Sequence, residues 1–474
     1  MELSASMVGY NSDLSTALAA PRPSRFVEIG PTTALLLAGL VLPNVLSLAT
    51  LFNLIDIGLP PRSYAIALYA LLAVAARRVS FPVLVTCFAI VLIEDLVCTI
   101  SLMFRLAPLD LLAALRFASR VHVFESPLYV ALFGVMLANS AAIVWLLRDR
   151  ARLLKGNIAV LLGGMAIFLV VDYVSNVSPY FTFGTLLGRN QPVVTAGETS
   201  GFDKVAGKNG RNVVYIIVES MGYLKNPAAR DLVSSPLNDP AIQERYTVTS
   251  GHSGYYGSTT NGEMRELCDT RTPYKELTKD IAAQCLPAQL HRRGYQSFAF
   301  HSFSGEMFDR THWYPILGFD KIAFGEDLLP KLKRTCGTAF PGACDVDVAG
   351  VIAREAAQTT KPKLIYWLTL NTHIPVAPGY AVTNFNCENP GGRGVFQRAG
   401  VCRMGELWHD LFGSIAKLAL DPAIGPAEIL VVGDHAPPLW SRAGREMFMP
   451  GQVAWYRLTP KDADSAHIAQ SDVH

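Results

Sequence analysis

Three apolar, strand-like runs in the second half of this 474-residue chain end in residues with metal or phosphate chemistry. Val213–Val218 is followed by Glu219, Lys363–Leu370 by Asn371-Thr372-His373, and Glu428–Val432 by Gly433-Asp434-His435. Each group alone has a plain structural explanation, since an acid at the start of a helix favours the helix dipole. Three such strand ends in one sheet converge on a single edge, where open α/β sheets collect their ligands. Two carboxylates and an imidazole, from Glu219, Asp434 and His435, suit Zn²⁺ or Mn²⁺ and leave coordination positions open. A metal in such a site polarises a phosphoryl oxygen and lowers the pKa of a bound hydroxyl.

The hydroxyl is expected in Gly257-Ser258-Thr259-Thr260-Asn261-Gly262-Glu263, a small, polar stretch that runs into a helix at Glu263–Leu267. A hydroxyl at a helix N-terminus faces the positive end of the dipole, where phosphate binds. Either Thr259 or Thr260 would be activated by the metal and would take the phosphoryl group covalently. A plain helix cap is the structural alternative.

These residues need a sheet to bring them together. The runs Val213–Val218, Ser297–Phe300, Lys363–Leu370, Glu428–Val432 and Val453–Leu458 read as strands, with helical stretches such as Pro287–Arg293 and Val348–Gln358 between them. That alternation predicts an α/β domain, a mostly parallel sheet with helices on both faces. His301, at the end of another strand, is a candidate to support the site from behind or a plain core histidine.

The first half reads differently. Hydrophobic residues make up 50% of the chain and charged residues only 17%, and the apolar excess lies before about residue 176. Five apolar stretches, Thr32–Ile55, Ser63–Ala76, Phe81–Phe104, Pro127–Leu147 and Ile158–Val174, predict an α-helical membrane domain of five spans, the second of them short. Arg22, Arg25, Arg77, Arg78, Arg148, Arg150, Arg152 and Lys155 mark one side as cytoplasmic. An odd number of spans then places the second half outside. The division expected is a cytoplasmic tail at 1–30, a membrane domain at 31–175, a linker along the membrane surface at 176–208 and a catalytic domain at 209–474.

Leu109–Leu115, with Arg105, Arg116 and Arg120, reads as an amphipathic helix in the interface, able to bind lipid phosphates or to lie solvated in a loop. Glu94, Asp95 and Asp172 fall within or near apolar spans, where acids are costly and often functional. Cys87 and Cys98 lie in apolar segments, whereas Cys268 with Cys285, Cys336 with Cys344, and Cys387 with Cys402 form close sequential pairs. Such pairs in a polar domain predict disulfides and an oxidising compartment. A net charge of +2 gives no basic face for nucleic acid, and no G-x-x-x-x-G-K-[ST] loop offers a nucleotide site.

The order Glu219, Thr259, His373, Asp434-His435 resembles that of the alkaline phosphatase/sulfatase-like superfamily. Within it the chain is most similar to membrane-anchored headgroup transferases, lipoteichoic acid synthase and the phosphoethanolamine transferases of lipid A and other glycans, over nearly its whole length. V-E-S at 218–220 resembles the segment with the metal-binding glutamate. G-S-T-T-N-G-E at 257–263 resembles the segment of the threonine nucleophile, and its alignment on Gly257 and Glu263 selects Thr259. F-D-R-T-H-W-Y-P-I-L-G-F-D at 308–320 resembles a segment whose arginine, here Arg310, meets the substrate phosphate. N-T-H at 371–373 and G-D-H at 433–435 match the substrate-site histidine, His373, and the last two metal ligands. Phe308-Asp309 departs from the usual Trp-Asn.

The resemblance implies a bacterial inner-membrane enzyme with a periplasmic catalytic domain. It would move phosphoethanolamine or phosphoglycerol from a membrane phospholipid, through phospho-Thr259, to a hydroxyl of an envelope glycan or lipid. Glu219, Thr259, Asp434 and His435 would hold the metal, with Thr259, His373 and Arg310 catalytic. Arg310, His373, Phe308, Asn261 and His301 would line the substrate site. The alternatives are a hydrolase of the same superfamily, a phosphodiesterase or a sulfatase, and a non-catalytic glycan-binding membrane protein. A sulfatase would carry C/S-x-P-x-R near residue 259, and none occurs there.

Overall fold

The computed structural model describes residues 29–52, 54–176, 193–208 and 210–461. The expected tail (1–28) and the start of the expected linker (177–192) lie outside the described residues. Among the described residues four helices are long and apolar enough to cross a membrane: α1 (Pro31–Leu51), α3 (Phe81–Phe104), α5 (Pro127–Arg148) and α6 (Ile158–Asn176). Ser63–Ala75, α2, has only 13 residues. At 1.5 Å per residue it rises about 20 Å, short of the roughly 30 Å hydrocarbon layer. The expected five spans are therefore four of full length and one short helix. Asp172 caps the start of α2 inside the bundle: its Oδ2 accepts from the Arg62 backbone N–H (3.0 Å) and from Ser63 Oγ (2.7 Å). Large apolar side chains such as Ile90, Ile93, Ile167 and Val170 are exposed on the outer faces of these helices, as lipid-facing positions require. Between α3 and α5 lies α4 (Pro108–Ala114), a two-turn helix with Leu109 exposed.

The second domain is built on an eight-stranded sheet. Its strands are β1 (Asn212–Val218), β2 (Gly222–Leu224), β3 (Tyr246–Gly254), β4 (Gln296–His301), β5 (Lys321–Ala323), β6 (Lys363–Leu368), β7 (Ala427–Gly433) and β8 (Phe448–Pro460). The order is β2-β8-β7-β1-β6-β4-β5, with β3 pairing β8. The central strands β7, β1, β6, β4 and β5 run parallel, and β8 is antiparallel to its neighbours. Successive side chains of β1 serve opposite faces. Val214, Ile216 and Val218 enter one buried cluster, shared with α9 (Asp345–Ala356) and α10 (Ala399–Leu420). Val213, Tyr215 and Ile217 enter the other, shared with α7 (Thr259–Cys268) and α8 (Arg310–Leu317). A strand covered on both faces has no polar alternation, hence the unbroken apolar runs in the sequence.

Disulfides join Cys268 to Cys285, Cys336 to Cys344 and Cys387 to Cys402, while Cys87 and Cys98 are free thiols. The linker expectation needs correcting where it is described. Residues 193–208 belong to the second domain: Ala196, Phe202 and Ala206 are buried in the core beside Tyr215, and the Ala196 N–H donates to Glu266 Oε2 (3.0 Å). The Phe202 ring gains by burial in that core, which takes its apolar surface out of water.

The two domains touch along two segments. Before α2, the Gly58 N–H donates to the Trp440 carbonyl (2.7 Å), and Asp56 accepts from Ser441 Oγ (2.5 Å). Around α4, Arg116 pairs with Asp309, Arg120 with Glu306 (2.5 Å) and Lys275 with Asp110 (2.7 Å). Arg105 lies over the Tyr255 ring, 4.6 Å from its centroid. Arg116 and Arg120 turn toward the second domain rather than the bilayer, because acids placed just before Arg310 offer them partners.

Candidate metal centre and nucleophile

The parallel register of the central strands assembles the site. Val218 of β1 stands beside Gly433 of β7, so the next residues, Glu219 and Asp434, leave the sheet side by side. Ser220 then takes a left-handed turn (φ 58°) and its N–H donates to Asp434 Oδ1 (2.7 Å). This conformation is strained for a residue with a Cβ and recurs at functional sites. The same Asp434 oxygen accepts from the His435 N–H (2.6 Å). Asp434 Oδ2 is buried and has no hydrogen-bond partner among the described residues.

The His435 ring is oriented from its far side. Its Nδ1 lies 3.0 Å from the Ala436 carbonyl, so Nδ1 carries the proton and Nε2 offers its lone pair inward. That Nε2 is 3.3 Å from Asp434 Oδ2 and 3.7 Å from Glu219 Oε1. Ligand atoms of Glu219, Asp434 and His435 all lie within 4.8 Å of one another. Three buried lone-pair donors facing one another repel unless a cation sits between them. The residues thus fit a divalent metal with mixed oxygen and nitrogen ligands. Burial first, and Asp434 second, push the Glu219 carboxyl well above the ordinary carboxylate range, another mark of a site built for a compensating cation.

Thr259 opens α7, and its hydroxyl is the one that reaches the cluster: Oγ1 donates to Glu219 Oε2 (3.2 Å) and lies 3.3 Å from His435 Nε2. Thr260, the other sequence candidate, lines a neighbouring cavity instead. Close approach of α7 to Asp434 depends on Gly262, where a Cβ would sit 2.9 Å from the Asp434 Cβ. Asn261 Oδ1 accepts from the Ser258 N–H (3.1 Å) and fixes the turn into the helix.

Sequence reading took Glu263-Met264-Arg265-Glu266 for an ordinary helix start and missed what these side chains do. Arg265, 1% exposed, donates to the carbonyls of Gly433 (3.0 Å) and Asp434 (3.1 Å) and to Glu266 (2.6 Å), locking α7 onto the turn that carries Asp434 and His435. Glu266 also accepts from Tyr215 Oη (2.6 Å). The available signal was the density of charge on a helix between two cores.

Arg310 is buried and donates to Glu263 from Nε (3.1 Å) and Nη2 (2.7 Å), with Nη1 on the Met307 carbonyl (3.1 Å). Glu263 accepts from Tyr314 and Tyr366 as well. In this geometry Arg310 braces α7 one turn beyond Thr259, and contact with a substrate phosphate would require that pair to open. Phe308, in a left-handed conformation (φ 56°), lines the cavity beside α7. His301 is buried with Nδ1 3.1 Å from the Leu368 carbonyl, and burial followed by Arg310 holds it well below the usual histidine range.

His373 hangs from a turn tied to the site, since Thr372 Oγ1 donates to the Glu219 carbonyl. Its Nδ1 lies 2.8 Å from the Ile374 carbonyl, leaving Nε2 unprotonated, and its ring lies against Phe340 at 3.8 Å. Burial lowers its pKa to about 4, so it is neutral near pH 7.

Residues 211–399 match the family described as Sulfatase. That range holds Glu219, Thr259, Arg310 and His373, and ends before Asp434-His435. No curated protein matches the chain. Among solved structures, the lipoteichoic acid synthase LtaP of Listeria monocytogenes is 12% identical with a TM-score of 0.38, over 53% of this chain and 65% of that one. The Streptococcus pyogenes phosphoglycerol transferase GacH is 17% identical with a TM-score of 0.37, over 60% and 76%. The periplasmic domain of EcEptC from Escherichia coli is 14% identical with a TM-score of 0.35, over 55% and 76%. The chain thus spans just under two thirds of the length of the first of these.

Proposed function

We propose that this chain, whose soluble half is a sulfatase-family domain, is a metal-dependent transferase of phosphorylated headgroups. The donor is a membrane phospholipid, the carrier is Thr259 and the acceptor is a hydroxyl of an envelope glycan or lipid. It works in the bacterial inner membrane with its catalytic domain in the periplasm. The observation that carries this reading is the Thr259 hydroxyl at the head of α7, shared between Glu219 and His435.

Glu219, Asp434, His435 and Thr259 would hold the metal, Zn²⁺ or Mn²⁺. Bound there, it would acidify the Thr259 hydroxyl and draw charge from the phosphoryl oxygens. Thr259 Oγ1 bonds to phosphorus, and the bond from phosphorus to the diacylglycerol oxygen breaks. The proton lost from Thr259 ends on that leaving oxygen. In the second half-reaction the acceptor oxygen bonds to the same phosphorus, Thr259 Oγ1 leaves, and the acceptor's proton returns to it. His373 suits this proton traffic: it is neutral, its Nδ1 is fixed on the Ile374 carbonyl, and its Nε2 accepts. Arg310, through Glu263, and Arg265, through the carbonyls of Gly433 and Asp434, hold Thr259 against the cluster, and such preorganisation lets the site stabilise charge without rearranging.

The test is incubation of the full chain with labelled phosphatidylethanolamine and phosphatidylglycerol. Diacylglycerol should be released from one of them, and Thr259→Ala should cut that release by a factor on the order of 10³ or more. Undiminished release from Thr259→Ala would end the covalent reading and leave a hydrolase with water as direct attacker.

A further inference from the structure

A small loop, residues 336–344, touches both His373 and the membrane domain. Thr335–Cys336 and Gly342–Ala343 pair antiparallel, and the Cys336–Cys344 disulfide closes the loop between them. Its base is fastened to the site. The Ala343 N–H donates to the Ser302 carbonyl (2.8 Å), and Asn371 Nδ2 donates to the Ala343 carbonyl (3.1 Å). Asn371 Oδ1 in turn accepts from the N–H of Asp345, the residue after Cys344 (2.7 Å). The loop and the Asn371-Thr372-His373 turn are therefore braced as one unit. Gly342 permits the close approach, since a Cβ there would sit 2.4 Å from both Leu370 Cδ2 and the Ser302 carbonyl oxygen.

The tip of the loop carries Phe340 onto the His373 ring. The ring centroids are 3.8 Å apart with the planes tilted by 47°, and Phe303 packs edge-on against Phe340 at 5.9 Å. The Nδ1 contact of His373 reaches the carbonyl of the next residue, Ile374 (2.8 Å), and so moves with the turn itself. Phe340 comes from a different element and fixes the ring relative to the rest of the site. A side chain locked by packing presents its proton-accepting atom in one place, as acid–base work requires.

The residue before Phe340 is held by the membrane domain. The His122 N–H, five residues before the start of α5, donates to the carbonyl of the buried Ala339 (2.8 Å). The His122 side chain turns to Glu125 instead (2.9 Å), so the contact to the loop is made by backbone.

We propose that Phe340 is a positioning residue for His373, and that the membrane domain sets it through the hydrogen bond from His122 to Ala339. The proposal rests on the transferase reading above, in which His373 serves the proton traffic. The membrane domain then does more than anchor the enzyme, because the histidine is fully aligned only when the two domains are docked.

The bond from His122 can be removed without changing any side chain of the site. His122 has φ −95°, about 30° from the value proline takes. Val121 before it is extended (φ −113°, ψ 123°), as a residue preceding proline must be. His122→Pro deletes the N–H, whereas His122→Ala keeps it and loses the imidazole. In the full chain in detergent, amide exchange at Ala343, Asn371 and His373, all hydrogen-bonded here, should accelerate about tenfold or more in His122→Pro. It should stay at the wild-type rate in His122→Ala. Equal exchange in all three proteins would overturn the coupling, whatever the chain turns over. Turnover tests Phe340 itself, with the phospholipid that the wild type cleaves. Phe340→Ala should lower kcat about tenfold or more with KM within about twofold, and Phe340→Leu, which keeps apolar bulk over the imidazole, should recover most of the loss. A raised KM at unchanged kcat would make Phe340 a substrate contact and overturn the positioning role, as would unchanged kinetics. Should Phe340→Ala fail to fold, Phe340→Val is read in the same way. Cleavage of neither lipid by the wild type ends the transferase reading, while exchange at Asn371 and His373 in Phe340→Ala and His122→Pro still decides whether the loop holds the turn.

Discussion

Asp434 uses one carboxylate oxygen for structure and leaves the other unbonded among the described residues. Oδ1 takes the N–H groups of Ser220 and His435, which shapes the turn, while Oδ2 faces Glu219 and His435 without a hydrogen bond. An orphaned charged oxygen at 0% exposure costs several kcal/mol unless a cation meets it. Asp434→Asn should therefore abolish bound Zn or Mn in elemental analysis and reduce diacylglycerol release on the order of 10² or more. The metal-free variant should melt no lower than chelator-treated wild type, because the substitution relieves the buried charge. A variant that keeps its metal would show that the ligand set is wrong. The same scale explains the choice between the two adjacent threonines: side-chain direction at the first turn of α7 sends only the Thr259 hydroxyl to the cluster.

At the scale of elements, the site depends on how three strand ends and one helix are held. Asp345, at the start of α9, organises the β6 end. It accepts from the backbone N–H groups of Leu370 (3.0 Å) and Asn371 (2.7 Å), and from Ser302 Oγ. Burial lifts its carboxyl from 3.8 to about 6, against the opposing pull of these hydrogen bonds. The folded protein thus holds this proton more tightly than the unfolded chain does. The stability associated with it is present below about pH 4 and is lost as pH rises through about 6. The melting temperature of Asp345→Asn minus that of wild type should accordingly become more positive from pH 4 to pH 7, equivalent to roughly 2–3 kcal/mol across the window. A difference that stays flat would mean that Asp345 titrates normally. The edge of the sheet teaches a related point. The β3 sequence Y-T-V-T-S-G-H-S-G has almost no apolar pattern, because this strand is largely exposed and is specified by pairing with β8 rather than by burial.

For the whole molecule the issue is how a membrane bundle and a soluble domain are kept in one arrangement. Inside the bundle, Arg62 donates to Asp95 from Nε (2.9 Å) and Nη2 (2.5 Å), to Ser47 Oγ (3.0 Å) and to the Pro43 carbonyl (3.3 Å). The Arg62 backbone N–H meets Asp172, joining α1, α2, α3 and α6 at one point. The segment just before it carries Asp56 and Gly58 to Ser441 and Trp440, so the buried knot also fixes a tether to the second domain. Removing one partner leaves the other charge buried, at a cost of about 3–5 kcal/mol. Asp95→Leu should lower the melting temperature of the full chain in detergent and weaken transfer, and Arg62→Leu/Asp95→Leu should recover much of the melting temperature. A double variant worse than either single one would contradict a paired role. The exposed pairs of Arg116 and Arg120 are each worth only about 0–1 kcal/mol, so they guide the docking of α4 rather than hold it.

The sequence alone determined the inventory. Apolar length marked the membrane helices, unbroken apolar runs marked the strands buried on both faces, and the groups just past those strands marked the candidate metal ligands. These are local properties, written in periodicity and in the residue that follows each run, and the metal reading rests on candidate ligands alone. Four matters were settled only by tertiary structure. The pairing of Val218 with Gly433 joins Glu219 to Asp434 across more than two hundred residues, a register no local pattern contains. The buried charges Glu263, Arg265, Glu266 and Arg310 look like solvated helix residues until their partners from other elements arrive. Residues 193–208 join a core that exists only once the sheet has formed. The arginines around α4 could have met lipid phosphates, and Arg116 and Arg120 turn to Asp309 and Glu306 because the folded second domain brings those acids within reach.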